Sequence, residues 1–279
     1  MTDQILKLLI LGAHPDDAEF HAGGLAAIYR QRGHQVRMIS VTDGGAGHHE
    51  RPADELRQIR RAEAAAAGNV IGAEYFTWDF PDGSLLPTLE VREKIIREIR
   101  SYQPDLVLTH RTSDYHPDHR AVGQVVQDAS YMVTVPLVVP DVPFLQRDPV
   151  VAYMVDLFTR PCPMQPDIVI DVTCQIDTIV AMLACHQSQF FEFLPFNLNV
   201  NQKLPTDPVE RKSWLHNWYL TLTAKRSERF LPELIANYGE QRSQQVQLME
   251  AYEISEYAAS IDRVTRSKLF PTSELQEDH

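Results

Sequence analysis

Three cysteines in 279 residues set the first limit. Cys162, Cys174 and Cys185 form no C-x-x-C pair and are odd in number. That speaks against a disulfide framework or a thiolate zinc site and for reduced thiols in a cytoplasm. Long apolar runs are also missing, since none approaches the roughly 18 residues that span a bilayer. The opening MTDQILKLLILGAHPDD lacks a basic segment and a signal cleavage site, and its apolar part reads as a strand. Positive charge is scarce: 26 Lys and Arg stand against 38 Asp and Glu, a formal net charge of −12. Nucleic acid and anionic membrane are therefore poor partners, because both need a basic surface. There is no internal repeat, no low-complexity tract and no domain linker. No G-x-G-x-x-G follows the first apolar run either, which speaks against a bound dinucleotide. The expectation is a soluble cytoplasmic protein.

What is present alternates. Residues 5–13 read as a buried parallel strand stopped by glycine, and 17–32 as a helix closed by Gly33. A strand at 35–45, a helix at 53–67 closed by Gly68, a short strand in EYFTWDF, a helix at 88–101 and the strand DLVLTH continue the order. This predicts an α/β fold, an open and mostly parallel sheet flanked by helices, with its site at the carboxyl ends of the strands. VPLVVPDVPF is too rich in proline for a central strand. VVAYMVDLF and DIVIDVT read as further strands and 175–187 as a helix. From 207 onward the chain reads helical, with interruptions near Pro232 and Gly239. The expected organisation is an α/β core over 1–206 and a helical C-terminal extension, 207–279, packed on the same domain. The apolar segments around 130–145 and the C-terminal helices are candidates for a homo-oligomer interface.

Two stretches carry chemistry. LILGAHPDDAEFHAGG (9–24) places a histidine and two adjacent aspartates at a strand end. HRTSDYHPDHRAVG (110–123) repeats that grammar, and Pro117 suits a first helical turn. Loops from two strands of one sheet bring His14, Asp16, Asp17, His116, Asp118 and His119 around one point. A helix N-cap accounts for one such aspartate, poorly for two, and not for the histidine. A divalent cation accounts for all of them, supplying the positive charge that makes the set tolerable. Two histidines and one aspartate without thiolate suit catalytic Zn2+, while Fe2+ or Co2+ fit the same donors. Groups that are not ligands are placed to act as general base, general acid or orienters.

AHPDDAE followed by HPDH, with RRAE and PDG between them and HQSQ at 186–189 after, resembles the LmbE/PIG-L family of metal-dependent de-N-acetylases, whose fold is Rossmann-like. The resemblance implies a metal held by His14, Asp17 and His119, with Asp16 as general base. It gives His116 to the oxyanion or the leaving amine and makes Asp118 an orienting partner of an imidazole. Arg60 would contact substrate and His186 would line the pocket, while Asp82 and Glu63 look structural or peripheral. The implied reaction removes an N-acetyl group from a small N-acetylated sugar or glycoconjugate. Two alternatives stand beside it: an amidase for a larger amide, such as a thiol conjugate or antibiotic sugar, and a Rossmann-type binding protein without catalysis. His48 and His49, in a glycine-rich loop, read as exposed surface.

Overall fold

The computed structural model describes residues 4–200 and 204–271. Strands β1 (Lys7–Gly12), β2 (Gln35–Thr42), β3 (Glu74–Phe80), β4 (Leu106–Thr109), β5 (Val150–Met154), β6 (Ile168–Asp171) and β7 (Met249–Ile254) form one sheet, ordered β3-β2-β1-β4-β5-β7-β6. The first five run parallel; β7 is antiparallel to both β5 and β6. The helices are α1 (Asp17–Gln31), α2 (Ala53–Ile71), α3 (Leu89–Tyr102), α4 (Pro117–Ser130), α5 (Ile176–Leu183), α6 (Leu194–Asn197), α7 (Pro208–Arg229), α8 (Leu231–Ser243) and α9 (Arg263–Leu269).

Helices on both faces explain why β1 is apolar at nearly every position. Leu8 and Ile10 join a core with Leu25, Tyr29, Ile179 and Tyr219, whereas Leu9 and Leu11 join Ile95, Ile96, Val122 and Val126 on the opposite face. The chain runs outward from β1 through β2 to β3, then returns to lay β4 on the other side of β1. That reversal opens a crevice between the carboxyl ends of β1 and β4, the place where such sheets hold their ligands.

The alternation read from the sequence is observed, with two corrections. Helix α2 runs past Gly68 to a left-handed cap at Gly72, φ 67°. Gly68 marks close packing instead: a Cβ there would lie 2.8 Å from the Ala73 carbonyl oxygen and 2.9 Å from the Tyr75 Cβ. The C-terminal region is not purely helical, because it supplies β7 to the middle of one side of the sheet. Its buried Glu250 accepts from the amides of Gly24 (2.7 Å) and Leu25 (2.9 Å) and from the Tyr252 hydroxyl (2.6 Å). Those amides follow Ala22, whose φ of −141° kinks α1, so the carboxylate caps the second half of that helix. The expected interruptions are found, with Pro232 in the first turn of α8 and Gly239 kinking it at φ 77°.

Helix α4 seats directly on the end of β4 through Gly123, where a Cβ would meet the His110 carbonyl oxygen at 2.5 Å. Gly123→Ala is expected to cost about 1–3 kcal/mol, because backbone at the contact must give way. A urea titration reads this as a lower midpoint, and an unchanged midpoint would mean that α4 shifts freely on the sheet.

Candidate active site

At the end of β1 the backbone folds around a carboxylate. Asp17 Oδ2 accepts hydrogen bonds from the amides of Ala13 (2.9 Å) and His14 (2.7 Å). Gly12 permits this wrapping, since a Cβ there would lie 2.8 Å from the Asp17 Cβ. Asp16 takes the strain, with φ 133°, a region that side chains other than glycine rarely enter. Its amide donates to the Tyr75 hydroxyl at 3.0 Å, and Arg60 Nη2 donates to its Oδ2 at 3.1 Å.

The loop after β4 supplies the opposite wall. His116 caps α4, its Nδ1 accepting from the Asp118 amide at 3.2 Å, and Pro117 occupies the first turn as expected. Asp114 Oδ1 accepts from the His116 amide at 2.8 Å, which turns the loop inward. Asp118 and His119 then project from the first turn of α4 towards β1.

The two walls meet in a small triangle of donor atoms. His14 Nδ1 lies 3.2 Å from His119 Nε2, and the Asp17 carboxylate lies 3.5 Å from the first and 3.4 Å from the second. Ligands about 2.0–2.1 Å from a tetrahedral zinc stand roughly 3.3–3.4 Å apart, and these separations, taken to Asp17 Oδ2 from His14 and to Oδ1 from His119, are of that size. The outer ring nitrogens agree with that orientation. His14 Nε2 lies 3.2 Å from Asp82 Oδ1 and 3.3 Å from Asp118 Oδ2, while His119 Nδ1 lies 3.2 Å from Asp114 Oδ1. With its Nε2–H directed at Asp118, His14 aims a lone pair at the centre, and His119 has Asp114 at ion-pair distance on its outer side. Three overlapping sets of potential ligands surround this point: His14, His116 and His119; Asp17, His110 and His119; and His14, Asp82 and Asp118. None contains a cysteine.

Charge follows burial and neighbours. Burial opposes protonation of His14, but Asp118, Asp17 and Asp82 outweigh it and lift the imidazole well above its ordinary range. A cation bound here would supply the positive charge that this environment favours. Burial also opposes ionisation of Asp17, yet His119 and His110 hold its carboxyl well below the usual range. Asp16 goes the other way: burial, only partly offset by Arg60, pushes it up to about 6. Neighbouring aspartates are thus driven apart.

The structure brings together His14, Asp16, Asp17, His116, Asp118 and His119. Asp118 sits behind His14, fully buried, its Oδ2 accepting from the Gly83 amide (2.7 Å) and its Oδ1 from the Leu85 amide (3.1 Å). Its Oδ2 lies 3.3 Å from His14 Nε2, in keeping with the expected role of orienting an imidazole. Arg60 and His186, expected to meet substrate, both lie buried. Arg60 is buried, its guanidinium committed to the Pro15 carbonyl oxygen (2.5 Å) and to Asp16. His186 is 0% exposed, with Nε2 bonded to Glu19 Oε1. Arg60 Nη2 and His186 Nε2 are thereby engaged within the chain itself. Asp82, expected to be peripheral, stands against His14. His110 was visible at a strand end and received no role; its Nε2 lies 3.1 Å from Asp17 Oδ2 and its ring stacks on His119 at 3.9 Å. Asp114 had no sequence signal beyond its place in the loop. His48 and His49 are less free than expected, since His49 stacks on Phe196 at 3.8 Å and His48 Nε2 meets Glu192 at 3.0 Å.

Residues 9–130 match the family described as PIG-L, GlcNAc-PI de-N-acetylase. This segment belongs to the PIG-L family. The PIG-L segment carries every group of the cluster, from His14 to His119. The chain is similar to 4-oxalmesaconate hydratase of Pseudomonas putida, 25% identical over 189 residues, covering 65% of this chain and 73% of that protein. It is also similar to diacetylchitobiose deacetylase of Thermococcus kodakarensis, 32% identical over 127 residues. That similarity covers 43% of this chain and 48% of the relative, so the match spans about half of that protein's length. The fold of N,N'-diacetylchitobiose deacetylase from Pyrococcus horikoshii superposes with a TM-score of 0.68 at 20% identity, covering 90% of this chain and 84% of that one. Among the described residues, no helix is long and apolar enough to cross a membrane.

Proposed function

We propose that this protein is a metal-dependent N-deacetylase that hydrolyses the amide of a small N-acetylated sugar or glycoconjugate. His14, Asp17 and His119 would hold the cation, with zinc as the expected metal and iron or cobalt compatible with the same donors. When bound, such a cation polarises the amide carbonyl and makes water a nucleophile near neutral pH. The chain's own residues do the rest. Asp16, outside the donor triangle and pushed up to about 6, accepts the proton of the attacking water at its carboxylate. His116 Nδ1 is occupied by the Asp118 amide, so its Nε2 carries the hydrogen and faces the crevice as a donor to the oxyanion or the departing amine. The separation of Asp16 from Asp17 is the observation that carries this reading. A binding protein needs a ligand carboxylate and gains nothing from a second one held in a strained backbone.

A hydratase reading has one observation in its favour, the similarity to 4-oxalmesaconate hydratase over 189 residues. It fits the charge of the crevice less well. Among the described residues, Arg51 pairs with Glu192, Arg57 with Asp43, Arg60 with Asp16 and Arg111 with Asp156, while Arg120 donates to the carbonyl oxygens of Asp114 and Tyr115. A polycarboxylate would find these cations already engaged, whereas a neutral amide needs none of them.

The test combines metal content with chemistry. Purified protein is assayed for metal, then offered N-acetylglucosamine derivatives with detection of new primary amine, and unsaturated carboxylic acids with detection of lost ultraviolet absorbance. The expected result is about one divalent ion per chain, amine release, and loss of activity under a chelator that returns on adding zinc. Loss of absorbance without amine release would replace this reading with the hydratase. Protein that takes up no metal after reconstitution would remove the basis of both.

A further inference from the structure

Two motifs, RRAE and HQSQ, place buried polar side chains, Glu63 and His186 among them, outside the donor triangle. Glu63 receives the Ser188 amide at 2.8 Å and the Ser188 hydroxyl at 2.6 Å, which anchors the turn that carries His186. His186 Nε2 bonds Glu19 Oε1; Tyr75 donates its hydroxyl to Glu19 Oε2 at 3.1 Å; and the Asp16 amide donates to that same Tyr75 oxygen. The chain of contacts therefore ends on the strained residue next to the metal triangle.

The direction of each bond matters. A carboxylate only accepts, so Glu19 compels Tyr75 to point its hydrogen away from Asp16 and to offer its oxygen to the Asp16 amide. A hydroxyl free to rotate would offer its hydrogen part of the time, and the amide would lose its acceptor. Burial and the Glu19 charge keep the Tyr75 phenol protonated far above its ordinary range. On the other side, Arg60 Nη2 bridges the Pro15 carbonyl oxygen and Asp16 Oδ2. A φ of 133° persists only where the surroundings over-determine it, and these two holds, one on the backbone and one on the side chain, do so.

We propose that Tyr75 is a positioning residue for Asp16, and that Glu19 and His186 act on the reaction by fixing the Tyr75 hydroxyl. His186 thereby influences the chemistry without contact to substrate. The proposal rests on the reading of Asp16 as the base, so its test includes a readout that needs no turnover.

Holoenzyme is prepared as wild type, Tyr75→Phe, His186→Ala and His186→Gln, and metal content is measured for each. Amide hydrogen exchange at Asp16 is then followed by NMR. The exchange is expected to quicken at least about tenfold in Tyr75→Phe, with metal content unchanged. On the best amide substrate, kcat falls roughly 10- to 100-fold with KM within about twofold, the signature of a misaimed group and not of weaker binding. His186→Gln, which keeps an N–H for Glu19, recovers most of what His186→Ala loses. Wild-type exchange at Asp16 in Tyr75→Phe would overturn the proposal, as would equal losses in the two His186 variants. Should Tyr75→Phe fail to fold, the His186 pair decides the matter alone. Should wild type release no amine, the amide reading falls while the exchange data still decide whether Tyr75 positions Asp16.

Discussion

Asp16→Asn is expected to keep its metal and lose its turnover. Asparagine has the shape of aspartate and retains an oxygen for the Arg60 guanidinium, so the strained turn and the neighbouring triangle of His14, Asp17 and His119 stay built. What disappears is the site that takes a proton. General base catalysis contributes about 10²–10⁴-fold, and kcat should fall by that amount with KM little changed. The pH profile supplies a second readout. A base works when unprotonated, so wild-type activity falls on the acid side as pH drops through the Asp16 value, which burial pushes up to about 6. A cation in the adjacent triangle draws that value down, placing the acid limb at or below pH 6. The residual activity of Asp16→Asn should lack this limb. Loss of metal together with activity would mean that Asp16 is a ligand, and the division of labour between the two aspartates would fail.

Much of this site was legible because its parts are local. His14, Asp16 and Asp17 lie within four consecutive residues, as do His116, Asp118 and His119, and each group sits where a strand gives way to a helix. The buried strands were equally plain, since β1 is covered on both faces and needs no alternation. What escaped the sequence depends on contacts between distant segments. Tyr75 reaches Glu19 across 56 positions and His186 reaches Glu19 across 167, so neither shows in a window of neighbours. Arg60 and His186 accompany the motifs in the sequence, and nothing in their neighbours announces that both side chains are buried. Gly68 reads as a helix stop because glycine usually is one, yet here it admits β3 against α2. Strand β7 was hidden by its own chemistry: Glu250, its second residue, breaks the apolar pattern, and its partners Gly24 and Leu25 lie more than two hundred positions away.

Asp17→Ala should do what Asp16→Asn does not: it should empty the triangle and loosen the fold. The carboxylate is one of three donors to the centre, and it also accepts from the Ala13 and His14 amides. Removing it takes the carboxylate acceptor from both amides, and although Ala13 N–H still has His110 Nε2 at 3.2 Å, the His14 amide is left unsatisfied at about 1–3 kcal/mol. It also leaves His110 and His119 without their common anionic neighbour. Elemental analysis is expected to find less than about a tenth of the wild-type metal, since two imidazoles alone hold a divalent ion weakly. The urea midpoint should fall even when both proteins are compared after chelation, because the lost amide contacts do not depend on the cation. The pH dependence has a definite sign. The Asp17 carboxyl titrates lower in the folded chain than in the unfolded one, so its contribution to stability is present above about pH 3.9 and is lost as pH falls through the folded value. Wild type should therefore lose stability in strong acid by a step that Asp17→Ala lacks. Metal retained at full stoichiometry in Asp17→Ala would reassign the third ligand to His116 or His110, the other groups within reach of the same point.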